Sequence, residues 1–208
     1  VSFIRALIVL HRVYRRRGLR TRAHVLIRFL TCPFLRVLRA VPRDGRVLDI
    51  GAGHGLFALL VAARGAARVV AVEPDVRKVQ PVDGVQFVIG FDDVVRGRFD
   101  AITIIDVLYK IPLGRWDTLL ARCAQRLEPG GTLVIKEQDP TARFKNGWNR
   151  AQERLATKLH LTLGQSFSYE APAAFAARLE RAGFGEVRSR RIDFGYPHPH
   201  ILYTARLI

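Results

Sequence analysis

The chain has 208 residues, 49% of them hydrophobic, enough for one domain of ordinary size with a full core. Its two cysteines, Cys32 and Cys123, stand far apart, which argues against a disulfide framework or a Cys-x-x-Cys zinc site and suits a reducing, cytoplasmic compartment. The net charge is +16, and no run reaches the roughly 18–20 apolar residues of a membrane span. Arg15-Arg16-Arg17 follow the apolar stretch Val1–Leu10 instead of preceding it, the reverse of a secretory leader.

Charge is uneven along the chain. Twelve of the 34 basic residues and only one of the 18 acids, Asp44, precede Val47. Arginine outnumbers lysine 29 to five, so a general bias toward arginine weakens charge alone as evidence. In this arm Phe3, Leu7, Leu10, Val13 and Tyr14 fall at helical spacing. A second helix is predicted from about Thr21 to Leu30, with Val25, Leu26, Phe29 and Leu30 as its apolar stripe. Pro33 suits the first turn of a third, and Pro42-Arg43-Asp44-Gly45 closes the arm. Three roles fit it: a helical lid on the following domain, attachment to an anionic membrane surface, or nucleic-acid binding. The last ranks lowest, because few aromatics accompany the arginines for base stacking.

Val47-Leu48-Asp49-Ile50-Gly51-Ala52-Gly53-His54-Gly55 reads as an apolar strand, a tight turn and the start of a helix, Leu56–Arg64. A dinucleotide fold wants Gly-x-Gly-x-x-Gly, but Leu56 holds the place of its last glycine. The stretch instead resembles motif I of the class I S-adenosylmethionine-dependent methyltransferases. That resemblance continues in order through Glu73-Pro74, which close the next strand, and Arg98–Asp106, a near-continuous apolar strand. It takes in Val107–Pro112, where relatives often read Val-Leu-His-His-Ile-Pro, and Leu127–Ile135. Tyr109 and Lys110 replace the two histidines.

The resemblance implies an α/β, Rossmann-like, seven-stranded mixed sheet, last strand antiparallel, with helices on both faces and an N-terminal helical arm. The expected division is a basic arm or lid over 1–45 and a methyltransferase domain over 46–208. The implied cofactor is S-adenosyl-L-methionine, with Asp49, Gly51, Ala52, Gly53 and Gly55 around it. Glu73, followed by Pro74, would accept both ribose hydroxyls, since two O–H donors need a two-oxygen acceptor. The adenine amino group would meet Asp92, or failing that Asp93, with Phe91 against the ring. Asp106 and Val107 would face the methionine end.

Methyl transfer needs an acceptor at near-attack distance, exclusion of water and, for some acceptors, removal of a proton. Lys136 and Glu137, at the end of the fifth strand, and Tyr109 are the candidates to orient or deprotonate it, although a salt-bridged strand-end pair explains Lys136 and Glu137 equally well. Phe144, Lys145, Trp148 and Asn149 suit an insertion over the acceptor. His198-x-His200 lacks partner ligands at useful spacing, so no metal is expected and a substrate-loop role suits His198 better. The absence of Asn/Asp-Pro-Pro-Tyr and of a cysteine after the fourth strand disfavours adenine, glutamine and cytosine methylation. O-methylation, with C- or N-methylation beside it, of a small-molecule or lipid-linked acceptor is the function the resemblance favours. Asp106 with Lys136 keeps RNA ribose 2′-O methylation as a minority alternative, and a non-catalytic cofactor-binding module as another.

Overall fold

Short apolar runs alternating with helices build a parallel sheet, and each strand inside it must be apolar on both faces. β1 (Arg46–Ile50), β2 (Arg68–Glu73) and β4 (Phe99–Ile105) are such strands, while β3 (Val85–Ile89) lies at the edge and is only partly buried. β5 (Leu127–Gln138), β6 (Phe184–Arg191) and β7 (His200–Leu207) complete seven strands in the order β3-β2-β1-β4-β5-β7-β6. β7 runs antiparallel to both β5 and β6, and the remaining pairs are parallel. This computed structural model describes residues 1–66, 68–79, 81–141 and 168–208. Phe144, Lys145, Trp148 and Asn149 lie outside them.

Two apolar layers cover the sheet. On one face α5 (Trp116–Arg126) and α6 (Pro172–Arg181) contribute Leu119, Leu120, Phe175 and Leu179. On the other, α4 (Leu56–Ala63) is buried along almost its whole length, and the N-terminal helices explain why. α1 (Phe3–Tyr14), α2 (Leu19–Thr31) and α3 (Phe34–Leu38) pack over it, placing Ala6, Leu10, Phe29 and Phe34 in one cluster with Phe57 and Leu60. Phe34 and Phe57 stack with ring centroids 5.9 Å apart. Arg64, at the end of α4, donates to the carbonyls of Leu38, Val41 and Pro42, groups that a helix end and a turn leave unpaired.

Several expectations need correction. In α1 the buried side is Ala6, Leu10 and Tyr14, because small Ala6 allows close approach, while Phe3 is half exposed and stacks on Phe29. In α2 only Val25 and Phe29 are buried, and Leu26 and Leu30 face solvent. Glu128-Pro129-Gly130-Gly131 sits inside β5 as a register break: Phe99 pairs with Leu127, and Ala101 with Thr132. Buried Phe184 anchors the start of β6, and a turn at Asp193–Tyr196 follows its end.

Phe29 lies in the same cluster as the α4 side chains. Phe29→Ala is therefore expected to cost about 3–4 kcal/mol in a urea titration followed by circular dichroism, in one transition. A loss under about 1 kcal/mol would show that α2 packs only loosely on α4.

Candidate active site

The order of strands reverses between β1 and β4, and ligands of open parallel sheets bind outside the carboxyl ends of strands at such a point. A cavity of about 270 Å³ lies there. Asp49 and the turn Gly51-Ala52-Gly53 after β1 line it, with Glu73 from β2 and Asp106 and Tyr109 from β4 and the turn that follows.

The turn takes its shape from its glycines. Gly51, Gly53 and Gly55 have φ of 71°, 58° and 77°, the left-handed region that side chains other than glycine rarely enter. Their surroundings differ. A Cβ on Gly51 would stand 2.5 Å from Val107 Cγ2, so the Val107 side chain packs directly against the Gly51 backbone. A Cβ on Gly55, the N-cap of α4, would meet the Phe87 ring at 2.5 Å. A Cβ on Gly53 would meet nothing within 4 Å, so that position alone of the three opens on free space.

Two buried carboxylates hold the turn. Glu73 accepts the N–H of Gly53 on Oε2 at 2.8 Å and that of Asp75 on Oε1 at 3.1 Å. Each oxygen keeps a further lone pair, so Glu73 can still accept two hydroxyls. Asp49 accepts from the Thr103 hydroxyl at 2.7 Å and from the Ala58 N–H in the first turn of α4. Burial pushes its carboxyl up to about 7, against the pull of those two donors.

Asp106 is the third. It sits at φ 56°, its carboxylate between Lys136 Nζ at 2.5 Å and Arg28 Nη2 at 2.7 Å. Burial would raise its carboxyl, but Lys136 and then Arg28 outweigh that and hold it well below the usual carboxylate range. Lys136 is fully buried and does not line the cavity. Glu137 does not line it either: its Oε1 accepts the N–H groups of Val107 and Leu108 at 2.9 and 2.8 Å, fixing the turn after β4. Burial, then the Asp106 charge, pushes the Glu137 carboxyl up, and its Oε2 is a buried oxygen with no partner among the described residues. Tyr109 does line the cavity and stacks on Tyr169 at 6.3 Å. Burial, then Asp106, pushes its phenol up, which keeps it a hydrogen-bond donor.

The remaining expected residues stand apart from the cavity. Pro74 is exposed beyond Glu73, and Val107 packs behind Gly51. Phe91, 66% exposed, and Asp93 lie on the turn after β3. Asp92, on the same turn, faces α5, where Arg122 pairs with its Oδ2 at 3.3 Å. His198 and His200 also lie outside it. His200 is buried beneath the arm, with Nε2 3.0 Å from the Thr31 carbonyl, and burial, then Lys136, pushes its imidazole down to about 3. Among the described residues no three His, Cys, Asp or Glu side chains are grouped to hold a metal.

Sequence reasoning missed the arm's share. His24, Val25 and Arg28 of α2 form a wall of the cavity. Tyr14 of α1 donates its hydroxyl to the His54 carbonyl at 2.6 Å, tying α1 to the glycine turn. The His24 and His54 rings meet edge to face at 5.3 Å, and burial lowers both imidazoles, so each is neutral near pH 7. His24 and Arg28 stand one helical turn apart beside the Val25–Phe29 stripe, the sole sign of this in the sequence.

Asp49 sets a pH dependence. Its folded value of about 7 lies above the usual 3.8, so the folded state retains its proton longer than the unfolded chain. The stability this carries is complete below about pH 4 and is lost as pH rises through about 7. Asp49→Asn keeps an acceptor for Thr103 and has no charge to bury. Between about pH 5 and pH 8, urea titrations should show the wild type losing about 2–3 kcal/mol relative to Asp49→Asn. Parallel pH profiles would refute the raised value.

The Methyltransferase domain family matches residues 20–189. Ubiquinone biosynthesis O-methyltransferase of Xanthomonas axonopodis pv. citri is 30% identical over 158 residues, 70% of this chain and 64% of that protein. The protein of the same name from Xylella fastidiosa is 30% identical over 161 residues, 71% of this chain and 64% of that protein. The chain thus spans about 64% of the length of these relatives. In fold it is similar to a SAM-dependent methyltransferase from Thermotoga maritima, with a TM-score of 0.67 at 17% identity over 95% of this chain and 99% of that one. It is similar also to magnesium protoporphyrin IX methyltransferase from Synechocystis with bound SAH, with a TM-score of 0.65 at 15% identity over 97% and 94%. A family match that runs from α2 into β6, across every strand that shapes the cavity, places the chain among the class I S-adenosylmethionine-dependent methyltransferases.

Proposed function

We propose that the chain transfers a methyl group from S-adenosyl-L-methionine to an oxygen of a small-molecule or lipid-linked acceptor. The observation that carries this reading is the meeting of Glu73 and the open face of Gly53 in one cavity. The bound cofactor supplies a methyl group already activated by a positive sulfur, so the protein's work is positioning, exclusion of water and handling of a proton. The names of the 30%-identical relatives support oxygen as the atom methylated.

In this reading Glu73 accepts the ribose hydroxyls, and the Gly51–Gly53 backbone approaches the amino-acid end. The Phe91-Asp92-Asp93 turn takes the adenine, with Asp92 accepting through the oxygen that Arg122 leaves free. Asp106 faces the methionine end, and Val107 supports the Gly51 backbone from behind. Arg28, at the cavity wall, keeps Asp106 ionised there. Tyr109 orients the acceptor as a donor, since its raised phenol does not ionise near neutral pH. Lys136 and Glu137 act as positioning residues, the first through Asp106 and the second through the Val107–Leu108 amides. The neutral imidazoles of His24 and His54 are able to take a proton.

Titration calorimetry with the cofactor tests the cavity. Gly53→Arg should abolish binding while the protein stays folded, because its side chain enters open space and the left-handed backbone costs only about 1–2 kcal/mol. Glu73→Ala should weaken binding by about 2–3 kcal/mol, roughly 30- to 150-fold. Wild-type affinity in both variants would refute the assignment. Methyl-labelled cofactor offered with lipid, glycan, phenolic and RNA extracts should label the lipid or phenolic fraction, and label found only in RNA would overturn the acceptor class.

A further inference from the structure

The outer face of the helical arm is apolar where a solvated helix should be polar. On α2, Leu19, Ala23, Leu26, Ile27 and Leu30 recur at helical spacing as one stripe, all solvent-exposed. On α1, Ile4 and Ile8 are 70% and 61% exposed, and on α2 Leu19 and Ile27 are 78% and 61% exposed. Between the two helices runs an open groove of about 490 Å³. Leu7 and Leu10 of α1 and Leu19 and Leu26 of α2 form its apolar walls, and His11, Arg15 and Arg22 stand along it. Exposed apolar patches of this kind mark interaction surfaces.

Charge identifies what covers the patch. Arg5, Arg12, Arg15, Arg16, Arg17, Arg20 and Arg22 are exposed on the same two helices and the turn joining them, and the two helices contain no acid. The arm's arginines thus divide. Arg28 and Arg36 are spent inside the protein, on Asp106 and on the carbonyls of Ile192 and Phe194, while the seven around the patch surround exposed aliphatics. A protein partner would have to bring an acidic rim around an apolar centre, whereas an anionic bilayer presents a negative layer directly above hydrocarbon. Arginine stems lie along apolar surface with their heads at phosphate level, and large aliphatics enter the acyl boundary. Among the described residues no helix is long and apolar enough to cross a membrane, so contact through this face is interfacial.

We propose that the outer face of α1 and α2 docks on an anionic phospholipid surface, its aliphatic stripe in the acyl boundary and its arginines at the phosphates. α2 then serves two sides: His24, Val25 and Arg28 line the cavity, and the Leu19–Leu30 stripe meets the lipid. The cavity lies about one helix diameter, roughly 10 Å, from the bilayer, within reach of an acceptor dissolved in it. This last step rests on the proposed function; the docking does not.

Flotation of the full 208-residue chain with vesicles tests the docking without using activity. The wild type should float with phosphatidylcholine–phosphatidylglycerol vesicles, stay in the lower fractions with phosphatidylcholine alone, and be released by added salt. A Leu26→Ser/Ile27→Ser/Leu30→Ser variant and an Arg16→Gln/Arg17→Gln/Arg20→Gln variant should each float at least about fivefold less. Unchanged thermal unfolding of the arginine variant separates lost docking from lost fold. Failure of the wild type to float, equal flotation on both vesicle types, or wild-type flotation of both variants overturns the proposal. So does a dimer in light scattering that the serine variant dissolves while neither protein floats, since the patch then joins two copies of the chain. Docking with no methylation of any lipid fraction would leave the membrane surface standing and remove the lipid-linked acceptor.

Discussion

The Asp106 carboxylate, buried between Lys136 and Arg28, is the interaction on which the site depends. It joins three parts of the chain that are distant in sequence: the arm, the end of β4 and the end of β5. A charge in that position is tolerable only because both partners bond to it directly, and removing one partner from such a buried group typically costs about 3–5 kcal/mol. Asp106 also holds a left-handed backbone, worth about 1–2 kcal/mol of strain, and its N–H donates to the Lys136 carbonyl at 2.8 Å. The turn that follows is fixed from behind by Glu137, and its Val107 side chain closes on Gly51. The two strand ends that border the cavity are therefore set against each other by contact, not by loop chemistry alone.

The N-terminal helices are part of this construction. Tyr14 holds the backbone of the glycine turn, α2 forms a cavity wall, and Arg64 ties the end of the arm to α4. A basic arm read from composition is a set of charges; in the folded chain the same residues have separate tasks. Arg28 neutralises a buried acid, Arg36 binds carbonyls just before and within the β6 exit turn, and the exposed arginines surround an aliphatic patch. Cys32 belongs to the same buried region, with its Sγ 3.9 Å from Asp106 Oδ2, and burial pushes its thiol up to about 11. It behaves as a small core side chain, not as a reactive thiol.

Much of the sheet was legible along the chain. Val69–Val72 is apolar throughout and Ala101–Ile105 is broken only by Thr103, a pattern that a strand covered on both faces requires, and the glycine spacing after β1 separated a methyltransferase-type turn from a dinucleotide one. The cavity-lining side of the site was legible for the same reason: Asp49 and Glu73 occupy strand ends and Gly53 the turn after one, and strand ends converge wherever a parallel sheet forms. Lys136 and Glu137 were found by position but not by role, because strand-end charge does not reveal whether a side chain points into a cavity or back into the protein. His24 and Arg28 were not found at all, since their partners are far away in sequence and the local pattern is that of an amphipathic helix.

The sequence by itself determined the order of elements, the glycine turn, the acid that closes β2 and the uneven charge, because each depends on neighbours within a few residues. Only the tertiary structure decided which arginines are spent, which leucines of α2 are left outside, and which helix walls the cavity. Those outcomes depend on how three N-terminal helices settle on α4, where burial of Val25 and Phe29 forces Leu26 and Leu30 to the opposite face. A helix has one buried side and several apolar candidates for it, and the choice among them is made by the surface it meets.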